Sequence, residues 1–320
     1  MQVRNRALLG QLGDADLRLL RMFKSVVECG GMAAAELELN IALSTISRHL
    51  RNLETRLGLV LCRRGRSGFA LTPEGEQVYE AALGVLSATD AFRTRLHDIH
   101  RRLGGDLHIA IFEKTATNPQ ARIAQAIARF QQQVPSARLH LHVGSIGTIE
   151  RGVIDGQFQL GIIPEHRSSD LLSYQDLFGE TMLLYAGPGH PWFGQARSGL
   201  GWDELRQQPL AALGYHSPNM ELAHRHRLER SATASDQESV ATFILSGGFV
   251  GFLPDHYAEA FVRAGRMRAV APATLRYSCR FLAISRQSPK SSRLTQAFHQ
   301  TLCDCHGPGA GIAPGRDPRC

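Results

Sequence analysis

The sequence contains no run of 18 consecutive apolar residues, so no stretch has the length and character of a transmembrane helix. Its first residues, MQVRNRALLGQLGDADLRLL, lack the apolar core and small-residue cleavage site of an export signal, and a cytoplasmic location is expected. Lysine is scarce, 3 against 33 arginines, which a coding bias toward arginine explains more simply than a functional choice. The six cysteines (Cys29, Cys62, Cys279, Cys303, Cys305 and Cys320) show no paired metal-ligand spacing, and reduced thiols are expected. Among fourteen histidines only His140/His142 and His224/His226 form two-apart pairs; two ligands are not a site, so no metal is expected. Catalytic motifs are missing as well. Gly187-Pro188-Gly189 lacks the glycine pattern of a dinucleotide loop and Ser217 has no glycine elbow, so neither an enzyme nor a cofactor is expected.

What is present is an ordinary globular composition, 43% hydrophobic and 20% charged, over 320 residues, enough for two or three domains. The net charge is +7, unevenly spread: residues 1–72 carry 11 basic against 6 acidic residues, and residues 106–320 carry 21 against 18. The basic excess per residue lies in the first quarter, where a nucleic-acid module would need it.

That quarter centres on Met32 to Gly58. Ala34, Ala35, Leu37 and Leu39 form a small apolar face, Asn40-Ile41 interrupts it, and Ile46, Leu50, Leu53 and Leu57 recur at helical steps. An upstream helix carries Leu17, Leu19, Leu20, Phe23, Val26 and Val27 and stops at Gly30-Gly31. The later helix leaves Ser44, Thr45, Ser47, Arg48 and Arg51 on its other side, short, polar or cationic, as a base-reading helix requires. An ordinary surface helix with a solvated arginine face shows the same spacing, so the context matters. Leu59 to Cys62, then Arg63-Arg64-Gly65-Arg66-Ser67-Gly68, then Phe69-Ala70-Leu71 read as two strands around a basic glycine turn. Three helices and a basic wing make a winged helix-turn-helix, with Arg63, Arg64 and Arg66 as further DNA contacts.

The order Leu20 to Phe23, Gly30-Gly31, Ala34-Ala35, Ile46-Ser47-Arg48, Leu53-Glu54, Leu57-Gly58, Leu61, Arg64, Leu71-Thr72 and Gly75 resembles the N-terminal signature of LysR-type transcriptional regulators, without a gap over about 60 residues. Three positions depart from that pattern: Ala42 replaces the serine that opens the recognition helix, Leu43 replaces a glutamine that faces DNA, and the wing arginine is shifted to Arg66.

Thr72-Pro73-Glu74 starts a helix that runs to about Leu103. Val78, Ala82, Val85, Thr89, Phe92, Leu96, Ile99 and Leu103 recur at alternating steps of four and three, a heptad seam that one helix cannot bury alone. Self-association through Val78, Val85, Phe92, Leu96 and Ile99 is expected, to a dimer or tetramer; packing on the same chain's C-terminal domain is the alternative. A dimerising linker helix is also what the resemblance implies.

After Gly104-Gly105, short strands and helices alternate: strands at Leu107 to Phe112, Leu139 to Val143, Leu160 to Ile163, Met182 to Ala186, Phe249 to Leu253 and Cys279 to Ile284, and helices at Ala121 to Gln133, Ile149 to Asp155, Gln237 to Leu245 and Tyr257 to Val262. This predicts parallel sheets with ligands at the carboxyl ends of the strands. The resemblance implies an α/β effector domain of two lobes, like a periplasmic binding protein. Lobe one is expected at 106–165 and 277–305, lobe two at 166–276, with hinges at Pro164 and Thr274 to Ser278 and a disordered tail over 306–320. The family pattern places Thr115, Thr117, Ser145 and Thr148 from lobe one, and His216, Glu238 and Phe252 from lobe two, around a small polar effector. Helix caps and turns call for the same residue types. Lys114 and Arg151 suit an acid, whereas Glu113, Asp236 and Glu238 suit an amine. The expected protein is a homo-oligomeric regulator that binds promoter DNA at dyad sites, with an effector-independent nucleoid protein as the alternative.

Overall fold

A computed structural model of the chain describes residues 12–65, 68–99, 103–194, 199–288 and 290–307. It divides into two compact units, Met1–Arg93 and Thr94–Cys320, so the boundary falls within the long helix rather than at either of its ends.

The first unit holds α1 (Asp14–Glu28), α2 (Met32–Leu39) and α3 (Leu43–Leu57), then β1 (Cys62–Gly65) paired antiparallel with β2 (Gly68–Leu71), then the start of α4 (Pro73–Ile99). Phe23, Val26, Ile46 and Leu50 are fully buried at its centre. Each contributes about 1.5–3 kcal/mol by leaving water. Of the apolar face expected on α2 only Ala35 is buried, and Leu37 is 86% exposed. The first wing strand starts at Cys62 rather than Leu59, because side chains already occupy the preceding backbone: Leu61 N–H donates to Glu54 Oε1 (3.0 Å) and Val60 O accepts from Thr72 Oγ1 (2.6 Å).

α4 spans 27 residues, about 40 Å at 1.5 Å per residue. Its first turns belong to the winged core, where Val78, Tyr79 and Ala82 pack, with Tyr79 edge-on to Phe23. Val78, expected in the dimer seam, thus packs half-buried against its own domain. Farther along, Phe92 is 62% and Leu96 39% exposed.

The second unit begins with β3 (Gly105–Phe112), α5 (Ile123–Gln133), β4 (Ala137–Gly144), α6 (Ile146–Ile154) and β5 (Leu160–Pro164). There follow β6 (Leu172–Ala186), α7 (Trp202–Leu205), β7 (Leu210–Leu213), α8 (Pro218–Arg225), β8 (Arg230–Ala234), α9 (Gln237–Leu245), β9 (Val250–Pro254) and α10 (Asp255–Arg263). The short β10 (Arg268–Ala269), β11 (Arg276–Arg286) and α11 (Arg293–His306) complete it. The strands form one mixed sheet in the order β4-β3-β5-β11-β6-β9-β7-β8, with β10 on β6. β3 runs parallel to β4 and β5, and β7 parallel to β8 and β9, as expected within each lobe. The joining strands β6 and β11 are antiparallel to their neighbours.

These two strands also move the lobe boundary. Leu172, Leu177 and Phe178 pack in the lobe-one core, Met182 and Leu184 in lobe two; likewise Phe281 belongs to lobe one and Cys279 to lobe two. Phe178 pairs with Phe281 and Glu180 with Cys279, so both strands cross at the same rung. The crossing at residues 179–181 replaces the hinge expected at Pro164, which only ends β5. The first half of β6 escaped the sequence reading because Asp176 stands where the alternation of Leu172 and Tyr174 calls for an apolar residue. At the other end, the expected tail begins too early: His306 closes α11 and is buried, its Nδ1–H donating to Leu302 O (2.7 Å) and its Nε2 accepting from Arg122 N–H (3.1 Å). Residues 308–320 lie outside the described residues. No helix among the described residues is long and apolar enough to cross a membrane.

Candidate DNA interface and effector cleft

On α3, Ile46, Leu50 and Leu53 face the core, which turns Ser44, Arg48 and Arg51 outward in one exposed stripe at i, i+4 and i+7, while Thr45 and Ser47 are half-buried on its flank. Among the described residues, no ion pair engages Arg48 or Arg51. Arg63 is exposed on β1; Arg64 lies on the same strand, and Arg66 falls outside the described residues. Ala42 stands at the N-cap of α3 with no side chain to cap it, and Glu36 of α2 does so instead: its Oε1 accepts the Leu43 N–H at 2.9 Å. A carboxylate there also complements the helix dipole.

The other end of α3 is held by a buried carboxylate. Asp16, 1% exposed, accepts two hydrogen bonds from Arg56 (2.6 and 3.1 Å) and one from Gly13 N–H (2.9 Å). The Gly13 N–H and the Arg56 guanidinium hold its carboxyl below the usual carboxylate range. A folded-state value below the unfolded one stabilises the fold at pH above the unfolded carboxylate value of about 3.9, and this stabilisation disappears as pH falls through the lower, folded value. Asp16→Asn is thus expected to unfold at lower temperature than the parent at neutral pH, with the gap closing below about pH 4 as the parent's carboxylate protonates; calorimetry across that range measures it.

In the second unit the carboxyl ends of the strands face one another across the two lobes. Glu113 Oε1 of lobe one accepts from Gln237 N–H of lobe two (2.8 Å), Lys114 Nζ donates to Glu238 Oε2 (2.7 Å), and Thr117 Oγ1 lies 2.8 Å from His256 Nδ1. Behind them His256 Nε2 is 3.0 Å from Glu180 Oε2 at the crossing rung. Burial raises the Glu180 carboxyl. Tyr257 OH also donates to Glu238 Oε2 (2.7 Å), and Lys114 sits 4.5 Å above the Tyr257 ring. This edge of the cleft is a polar latch.

None of those latch residues lines the open cavity of about 820 Å³ between the lobes, whose wall includes His166, Tyr174, Glu221, Arg225, Tyr277 and Arg280. The His166 ring in this wall lies 5.5 Å, centre to centre, from that of His216 in lobe two. His166 Nε2 lies 3.5 Å from Glu150 Oε2, and Asn219 Nδ2 donates to Tyr277 OH (3.2 Å). Among the described residues, three buried side-chain atoms have no hydrogen-bond partner: His166 Nδ1, Asn219 Oδ1 and Gln237 Oε1. His166 lies in the connection from β5 to β6 and lines the cavity, whereas Asn219 lies in the first turn of α8 and Gln237 opens α9.

The expected effector residues are thereby divided. Thr115 is buried in a short 3-10 turn, and Thr117 and Glu238 belong to the latch. Ser145 caps α6 and its hydroxyl pairs with that of Thr148 (2.9 Å). His216 is exposed, 3.7 Å from Glu221. Phe252 is no cleft residue: at 2% exposure it packs inside lobe two against Trp202 and Tyr277, because β9 is apolar on both faces. His166, Asn219, Gln237, His256 and Glu180 were missed; the loop after Leu160 to Ile163 met the same strand-end criterion, and applying it there would have found His166. The His140/His142 pair gains His108, whose Nδ1 is 3.3 Å from His142 Nε2, yet no group of three or more His, Cys, Asp or Glu among the described residues could hold a metal ion.

Residues 17–76 match the family model for the bacterial regulatory helix-turn-helix protein of the lysR family, and residues 100–304 match that for the LysR substrate binding domain. The chain is 39% identical over 294 residues to the HTH-type transcriptional activator BauR of Pseudomonas aeruginosa, covering 92% of this chain and 96% of that protein. Its fold is similar to that of CbnR, a LysR family transcriptional regulator, with a TM-score of 0.62 and 18% identity over 91% of this chain and 99% of the other. Full-length CbnR complexed with its target DNA gives a TM-score of 0.59 at 20% identity, over 90% and 99% of the two chains.

Proposed function

The chain belongs to the LysR family of bacterial transcriptional regulators, and from that premise we propose that it acts as a homo-oligomer whose hold on dyad promoter sites is set by a small polar metabolite between the two lobes. In this reading Ser44, Thr45, Ser47, Arg48 and Arg51 enter the major groove, and Arg63, Arg64 and Arg66 meet phosphates beside it. It needs no catalytic chemistry and no cofactor, in keeping with relatives that are regulators, and its partner, promoter DNA, puts it in the cytoplasm.

The observation that carries the effector site is the open cavity of about 820 Å³ between the lobes, walled by His166, Tyr174, Glu221, Arg225, Tyr277 and Arg280. In its wall His166 Nδ1 is buried without a hydrogen-bond partner, and because buried polar groups are nearly always paired this supports a ligand there. A ligand that binds one degree of lobe closure better than another shifts the equilibrium by that difference, and through the linker helices it shifts the spacing of the winged domains.

Footprinting on DNA flanking the gene tests the reading. It expects a discrete protected site with half-sites one helical turn or a multiple apart. Uniform binding that vanishes with modest salt would instead favour the effector-independent nucleoid protein. Oligomerisation is tested separately. Phe92 is 62% exposed on α4; in this reading it joins the dimer seam beside Val85 and Leu96, and Phe92→Glu is expected to leave a folded monomer in analytical ultracentrifugation. A variant that stays dimeric would remove the linker helix from the interface.

A further inference from the structure

Leu43 opens α3 and is 40% exposed. Cα–Cβ bonds in a helix tilt toward its N-terminus, so a side chain at the first position reaches ahead of the helix end, in front of the exposed stripe of Ser44, Arg48 and Arg51. A helix start can meet DNA through a phosphate, which takes its free N–H groups and the positive end of the dipole. That seat is filled here. The Leu43 N–H donates to Glu36 Oε1 (2.9 Å), and a carboxylate at the helix start repels a second anion. Ala42 and Leu43 carry no side-chain donor or acceptor, so the front of α3 presents hydrocarbon. The polar groups on base edges lose water to such a surface and gain no bond from it. The C5-methyl of thymine is the one apolar group that the four bases show in the major groove, and it gains from leaving water.

We propose that Leu43 selects a thymine in each half-site by packing on its C5-methyl group, an assignment that rests on the reading that α3 enters the major groove. Arg48 and Leu43 then read by different means, the guanidinium by hydrogen bonds to a base edge and the leucine by excluding water from a methyl.

The test uses the full-length protein and the duplex protected in footprinting, with each thymine of a half-site replaced in turn by deoxyuridine, which removes the methyl and leaves base pairing and the O4 acceptor intact. In anisotropy titrations at one salt concentration, one such replacement made in both half-sites is expected to weaken the parent about tenfold, roughly three- to fourfold for each methyl. Leu43→Ala is expected to bind the thymine and deoxyuridine duplexes alike, with an unchanged unfolding temperature. Ile41→Ala, which trims the exposed apolar residue of the turn between α2 and α3, is expected to keep the discrimination. If no thymine methyl matters to the parent, or if the methyl effect persists in Leu43→Ala, the assignment is overturned. Its disappearance in Ile41→Ala alone moves the contact to the turn and overturns it too. Loss of affinity in Arg48→Ala with none in Leu43→Ala removes Leu43 from base reading and leaves α3 in the groove. Full affinity in both variants overturns the placement of α3 itself.

Discussion

Arg48→Ala is expected to lower affinity for the specific operator by about ten- to a hundredfold, the worth of one bidentate guanidinium contact to a base. The loss should concentrate at one base pair of each half-site, so that operators altered there bind parent and variant alike. Anisotropy titrations at a single salt concentration on a set of singly substituted operators measure this. The fold should not suffer, because Arg48 is exposed and alanine is the better helix former in the middle of α3. A loss of equal size on every sequence, with a shallower salt dependence, would make Arg48 a phosphate contact. In that case base reading passes to Ser44 and Thr45, nearer the start of the helix.

Gly75→Ala is expected to cost about 3 kcal/mol of stability in the first unit, a drop of about 10–20 °C in its unfolding temperature. A methyl group at Gly75 would stand 1.9 Å from Leu61 O and 2.8 Å from Leu61 C. Both atoms are backbone, so no rotamer change relieves the clash. The start of α4 has to lift away, which also strains the Thr72 N–H to Leu61 O bond (3.0 Å) and the Thr72 Oγ1 cap on Gly75 N–H (2.9 Å). Gly84 is the control: it lies within α4 with nothing within 4 Å of the added methyl. Gly84→Ala should be neutral or stabilising by up to about 1 kcal/mol, since alanine loses less backbone entropy on entering a helix. Equal effects at the two positions would mean that Gly75 matters only for helix propensity.

Much of the first unit could be read from local pattern. The 3.6-residue recurrence of Ile46, Leu50 and Leu53 identified the buried face of α3, and its opposite face followed from geometry alone. The start of α4 at Pro73 was signalled by threonine, proline and glutamate in a row. The identity of the residue that caps α3 was not local. The reading stopped at Ala42, and only the approach of α2 brings Glu36 to the Leu43 N–H. The heptad seam shows the same limit: its spacing is real, but spacing alone does not say that Val78 faces Phe23's domain while Phe92 faces solvent.

In the effector unit the strand ends pointed to the loops holding Thr117, Ser145 and His216, because ligands gather where parallel strands stop, and the family resemblance added Glu238. Phe252 was drawn in by its neighbourhood and excluded by the core. β9 is buried on both faces, and a run such as Val250 to Pro254 carries no mark distinguishing a cleft aromatic from a core one.

By itself the sequence determined the winged helix-turn-helix, the long helix and the alternation of strands and helices that follows, since each shows in periodicity, caps and turns within a few residues; the two lobes came from the family resemblance. Tertiary structure decided which polar groups remain without partners. Asp16 is satisfied by Arg56, His306 by Arg122 and Lys114 by Glu238, across separations of 40, 184 and 124 residues. Gln237 Oε1, His166 Nδ1 and Asn219 Oδ1 are left over. Hydrogen bonding is a short-range requirement met by whatever the fold brings near, so the groups left unpaired are visible only once the others have found their places.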